Sequence, residues 1–214
     1  MPNPLPPAAA PDKLVIALSA RALFDLEDSH ALFERDGVGA YADYQRSRED
    51  DPLEPGIAFP LVRKLLALNA HGRADLPRIE VILLSRNSSD TGLRIFNSIE
   101  KYGLEIVRAA FTSGAATWPY IRPFGAHLFL SANPESVRRS LEHGVAAATI
   151  LPTPAPATGH DELRIAFDGD AVIFGDESER ISQESGVEAF ARNEAELVNT
   201  PLSAGPFRAF LTAL

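Results

Sequence analysis

The sequence predicts an α/β fold, a parallel sheet layered with helices. Three observations predict it. Short, β-branched apolar runs recur along the 214 residues and read as buried strands. Helical stretches of roughly 10–14 residues alternate with them, which is the pattern of parallel strands joined by crossover helices. With 45% hydrophobic residues the chain can build a sizeable core.

The elements follow in order. "MPNPLPPAAAPD" has neither a basic stretch nor a long apolar centre, so it does not read as a secretory signal. Its Pro and Ala content makes residues 1–11 a disordered lead-in. "KLVIALSA" (13–20) is the first strand. Residues 21–49 carry helical spacing broken at Gly37, and "DDPLEPG" (50–56) is a turn. "IAFPLVRKLLALNA" (57–70) is a helix. "RIEVILLS" (78–85) is the second strand, and "TGLRIFNSIEKYG" (91–103) a helix closed by Gly103. "LEIVRAAFTS" (104–113) and "AHLFLSA" (126–132) are the third and fourth strands. "NPESVRRSLEHG" (133–144) is a helix with Asn133 as N-cap, Pro134 at its first position and Gly144 at its end. "VAAATILP" (145–152) is the fifth strand, and "TPAPATGHDE" (153–162) a linker. "LRIAFD" (163–168) is a sixth strand, followed by an acidic helical segment. The expected organisation is a lead-in over 1–11, an α/β domain over 12–151 and the start of a second unit over 161–214.

Composition removes several function classes. A net charge of −9 opposes sequence-independent nucleic-acid binding, which needs clustered Lys and Arg. The absence of cysteine excludes disulfides, thiolate metal sites and a Cys nucleophile, and fits a reducing, cytoplasmic setting. No apolar run reaches membrane-spanning length. Nucleic acid and membrane are therefore not expected partners. The five histidines have no metal-ligand spacing, and His127 reads as a residue satisfied within its strand. No P-loop, G-x-S-x-G or G-x-G-x-x-G occurs.

The chain resembles itself. Shifted by 149 residues, "IALSARALFDLEDSHALFERDGVGAYA" (16–42) falls on "IAFDGDAVIFGDESERISQESGVEAFA" (165–191). Without a gap, 11 of the 43 positions from 15 to 57 are identical. Ordinary composition would give roughly 3. This reads as an internal duplication. The copies differ where chemistry would sit: Asp168 meets Ser19, and Asp170 meets Arg21.

Two carboxylates one residue apart at the end of a buried strand repel one another and resist desolvation. A divalent cation is the usual compensation. Such a pair reads either as a solvated acidic loop or as a metal-assisted site, and the apolar flanks "LRIAF" and "AVIF" favour the second. The first carboxylate can attack phosphorus, and the second can protonate the leaving oxygen and then deprotonate water. Mg²⁺ suits the oxygen donors and screens the phosphate charge.

These residues resemble the first motif of the haloacid dehalogenase superfamily. More narrowly, "ALSARALFDLEDSH", "DDPLEPGIAFPLVRKLLALN", "VILLSRNSSDTGLRIFNSIEKYGL", "LFLSANPESVRRSLEHGVAAATILP" and "LRIAFDGDAVIFGDESERI" are similar to the cytosolic 5′-nucleotidase class one family. The resemblance implies a three-layer, Rossmann-like sheet with an incomplete second copy at the C-terminus. It implies Mg²⁺-dependent hydrolysis of nucleoside 5′-monophosphates, with Asp168 as nucleophile and metal ligand. Asp170 would be general acid/base, its backbone oxygen on the metal. Members continue past the equivalent of Leu214 with a hydroxyl phosphate anchor, a Lys and an acidic metal-binding pair. In the first copy Ser85 and Arg122 stand where the anchor and the Lys would be, as candidate substrate-binding residues. Asn133 and Glu135 stand where the acidic pair would be, with Asn133 the better N-cap.

Two arrangements stay open: half an active site with little activity, or a strand at Asp168 that joins the first sheet, in its own chain or a partner's, and borrows Ser85 and Arg122. A catalytically silent nucleotide-binding or oligomerisation module is the alternative function. "SRNSSDTG" (85–92) reads as a phosphate site at a helix start or as an N-capped loop. Trp118 and Tyr120 read as base-stacking residues or as cover for a core edge. Exposed apolar residues near Phe207, Phe210 and Leu214 are expected to drive self-association into a homo-oligomer.

Overall fold

The computed structural model describes residues 13–71, 77–152, 162–200 and 203–214. The expected lead-in, and all but the last residue of the expected linker, lie outside them.

Five strands form one sheet: β1 (Leu14–Leu18), β2 (Ile79–Ser85), β3 (Ala109–Phe111), β4 (Leu128–Ser131) and β5 (Ala147–Thr149). Their order is β3-β2-β1-β4-β5, and every pairing is parallel. β1 is central because it is apolar on both faces. Leu14, Ile16 and Leu18 enter one core, while Val15 and Ala17 enter the other. Leu18 is paired with Leu83 of β2 and Leu130 of β4, so both edges of β1 are closed.

Helices cover both faces: α1 (Ala20–Leu23), α2 (Glu27–Ser47), α3 (Phe59–Ala67), α4 (Ser89–Lys101), α5 (Trp118–Ile121) and α6 (Pro134–Glu142). Leu23, Phe59, Val62, Leu65, Ile95 and Ile99 bring α1, α3 and α4 onto one face. Ile121 and Val137 bring α5 and α6 onto the other. α6 begins as its sequence dictates: Asn133 Oδ1 accepts from Ser136 N at 2.9 Å, and Pro134 occupies the first turn.

Three expected strands differ most from observation. The third shortens to Ala109–Phe111, because β3 is an edge with one neighbour, and the fifth, expected over 145–152, shortens to Ala147–Thr149 at the other edge. The sixth does not form. Residues 162–168 run outside regular secondary structure, and among the described residues they pair with no strand. A strand is made by the neighbours that satisfy its backbone, and the centre of this sheet is already filled by β1. Within this chain, the segment bearing Asp168 therefore does not join the first sheet.

The C-terminal part folds as a wide single turn (Gly169–Ile173), then α7 (Glu177–Ser185), α8 (Val187–Glu196) and α9 (Arg208–Ala213). It repeats local geometry from the first part. Ser19 before α1 has φ −75° and ψ 143°, and Asp168 before the wide turn has −70° and 153°. A bridge Phe24↔Pro55 closes the first loop, and Phe174↔Ala204 the second. Inside each loop a helix breaks at a glycine with φ 81°, Gly37 and Gly186. Few residue types other than glycine adopt that conformation readily. The turns differ by one residue: Phe24 N bonds Ala20 O, four back, whereas Phe174 N bonds Gly169 O, five back.

This part packs on the sheet domain. Phe210 is 2% exposed within the core cluster, with Phe167 and Phe207 partly buried beside it. Lys64 on α3 donates to Glu162 O. The expectation that Phe210 is exposed is thus corrected: it is buried because it packs into the core cluster that the sheet and its helices form. Leu214 is exposed, at 60%.

Candidate functional site

Asp168 is exposed and stands at the mouth of the wide turn. Its Oδ1 accepts from Gly169 N at 2.7 Å. Among the described residues it has no ion-pair partner, which leaves the carboxylate free for a ligand. Asp170 lies two residues on in the same turn, and its side chain falls outside what the structure describes. Asp176 takes the N-cap position of α7 without a side-chain bond to the helix. Among the described residues no group of three His, Asp or Glu side chains is placed to hold a metal ion. One or two carboxylates are what Mg²⁺ ordinarily takes from a protein, the rest being water and phosphate oxygens.

The other candidates lie on the elements that build the sheet and its cover. Ser19, Ser85 and Ser131 lie at the carboxyl ends of the adjacent strands β1, β2 and β4. The chain reverses its strand order there, between β1 and β4, and such edges are where open α/β sheets bind ligands. Ser85 and Ser131 are buried and make the same turn: Ser85 Oγ accepts from Asn87 N, and Ser131 Oγ from Asn133 N. Ser19 Oγ and Asn87 Nδ2 are buried without a partner.

Arg122 is committed elsewhere. Its Nη2 donates to His143 O and Gly144 O, capping the C-terminal end of α6. Glu135 is bound to Arg138 and Arg139 on α6, and the bonds from Arg138 foremost pull its carboxyl down to about 2. Trp118 stacks on His143 with ring centroids 3.5 Å apart, so it covers the α5–α6 contact. Ser88, not Ser85, takes the N-cap position of α4, without a side-chain cap bond. His127 Nδ1 accepts from Val15 N at 3.0 Å, a strand residue satisfied by its neighbour. Among the described residues, no hydrogen bond of Ser85 or Arg122 reaches Asp168.

Reading the sequence missed Gln45 on α2 and Arg94 on α4, both buried and bonded to each other. They are 49 residues apart, and no local spacing links them.

The 5′-nucleotidase family model matches residues 6–214. Cytosolic 5′-nucleotidase 1B of Homo sapiens is 35% identical over 217 residues, covering 99% of this chain. The match takes in 35% of that relative, so the chain spans about a third of its length. No solved structure matches.

Proposed function

We propose, from the premise that this chain belongs to the 5′-nucleotidase family, that it hydrolyses nucleoside 5′-monophosphates at Asp168 with Mg²⁺. The observation that carries the reading is the free, exposed Asp168 carboxylate at the end of an apolar segment, at the opening of a helical turn.

In this proposal an Asp168 oxygen attacks phosphorus, and the bond to the nucleoside 5′-oxygen breaks. Asp170 gives that oxygen its proton. Asp170 then takes a proton from water, the water oxygen attacks the aspartyl-phosphate, and inorganic phosphate leaves with Asp168 restored. Asp168 and the backbone carbonyl of Asp170 are the protein donors that would hold Mg²⁺. When bound, the ion screens the phosphate charge from the nucleophile. Ser85 and Arg122 enter only as first-unit counterparts of phosphate-binding groups, since neither touches Asp168.

We further propose that residues 161–214 are the start of a second copy of the unit that spans 12–151, with Asp168 at the position of Ser19. Support comes from the paired backbone angles of Ser19 and Asp168, the two bridges and the two glycine breaks. In that reading the first sheet keeps the scaffold of a haloacid dehalogenase domain and has lost its nucleophile, with Ser19 in its place.

Phosphate release from AMP, IMP and dCMP, with and without Mg²⁺, tests the function. Release that is lost in Asp168→Asn supports it. Turnover surviving in that variant removes the nucleophile assignment. A folded chain that releases nothing removes the activity from these 214 residues.

A further inference from the structure

Between α2, α4 and residues 51–54 lies a cavity of about 250 Å³. Arg94 lines it and is only 6% exposed. Its Nε donates to Asp51 O at 2.9 Å and its Nη1 to Gln45 Oε1 at 3.1 Å. Among the described residues no carboxylate lies at ion-pair distance from it, and its Nη2 is uncommitted. Gln45, in contact with it, is fully buried, and its Nε2 has no acceptor. A buried cation without a carboxylate partner and a buried amide nitrogen without an acceptor are both costly to leave so. The Tyr44 ring forms another wall, with the Arg48 guanidinium carbon 4.8 Å from its centroid.

The cavity's outer residues choose among acceptors. Asp25, Asp28, Asp51 and Glu54 are exposed there, so carboxylates outnumber guanidiniums four to two. That balance repels a phosphate or polyphosphate and admits a neutral ligand. The ligand must offer adjacent acceptors to a guanidinium and hydroxyl donors to carboxylates. The O6/N7 edge of a 6-oxopurine is such an acceptor pair for Arg, and ribose hydroxyls donate to Asp or Glu. Adenine fails at this edge, since its N6 amino group is a donor facing donors. The volume lies below the range for drug-sized ligands, which suits a single nucleoside.

We propose that this cavity binds a 6-oxopurine nucleoside, with Arg94 reading the base and the carboxylates outside it holding the sugar. The inference stands apart from hydrolysis at Asp168, because a nucleoside carries no phosphate and the test involves no turnover.

Calorimetric titration of the whole chain with inosine, guanosine, adenosine and inorganic phosphate, without Mg²⁺, tests it. Inosine and guanosine should bind, adenosine roughly tenfold or more weakly, and phosphate not at all. Arg94→Lys keeps the charge and loses the paired donors, so inosine affinity should fall about tenfold or more. Asp28 is exposed, and Asp28→Asn, which leaves the core untouched, should weaken inosine several-fold. Adenosine binding as tightly as inosine overturns the proposal. So does the absence of nucleoside binding, or unchanged inosine affinity in the folded Asp28→Asn protein.

Discussion

Phe210→Ala separates the two parts of this molecule. Phe210 is the one buried apolar side chain among the described residues from 162 onward. Its ring lies 5.8 Å from that of Phe167 and 6.4 Å from that of Phe207, centroid to centroid. Truncating a buried Phe to Ala costs about 3–5 kcal/mol, from lost transfer energy and the cavity left behind. The segment's other apolar contacts, from Leu163, Phe167, Phe207, Leu211 and Ala213, are only partly buried, so the loss falls on docking rather than on the sheet. A change of about 3 kcal/mol raises the undocked population roughly 100-fold. Limited trypsin digestion at the exposed Arg164, Arg180, Arg192 and Arg208 reads that population. Cleavage there should accelerate by about the same factor, while the urea midpoint of the sheet domain shifts little. A fall of about 3–5 kcal/mol in one global transition, with no early cleavage, refutes the reasoning. The C-terminal part would then fold as one unit with the sheet.

Two further outcomes are expected. Burial holds the His127 imidazole below its ordinary 6.5, and Val15 N–H donates to its Nδ1; the unfolded chain therefore takes the proton first as pH falls. Its stabilising contribution is present above 6.5 and is lost below it, so urea unfolding at about pH 7.5 and about pH 5.5 should show a larger drop in the parent than in His127→Gln. The double variant Ser19→Asp/Arg21→Asp places a carboxylate pair between the carboxyl end of β1 and the start of α1 and should lose about 2 kcal/mol or more without metal. Mg²⁺ at about 100 times its Kd should return roughly 2.7 kcal/mol, and a melting temperature indifferent to Mg²⁺ would mean the two turns are not equivalent.

How much of this was legible depends on whether the cause was local. β1 is a continuous apolar run and β2 carries one from Val81 to Leu84, and both appear as buried strands. Asn133 caps where its sequence says it should, because a cap is a contact across three residues. The break at Gly37 is likewise local. Residues 163–168 show the limit. They share Ile and Ala with β1 at the matching positions, and yet no strand forms. Apolar alternation nominates a strand, while the neighbour that completes it lies elsewhere. The Gln45–Arg94 pair escaped for the same reason, since its meaning arises only when α2 packs on α4.

That limit bears on Asp168. Ser19 sits at the end of a strand clamped on both sides, and is positioned by the sheet. Asp168 has the same backbone angles and neither neighbour. In the proposed reaction, an Asp168 carboxylate misplaced by an ångström would lose much of its rate, so that reading needs another support for it. The available support is next door: Phe167 is the residue before Asp168, and its ring rests against Phe210. In the proposed reading, the apolar anchor that docks the C-terminal part also holds the Asp168 backbone beside the sheet domain. Loosening Phe210 should therefore cost positioning at Asp168 as well as docking, a coupling that the unit around Ser19 avoids because its strand has a sheet to stand in.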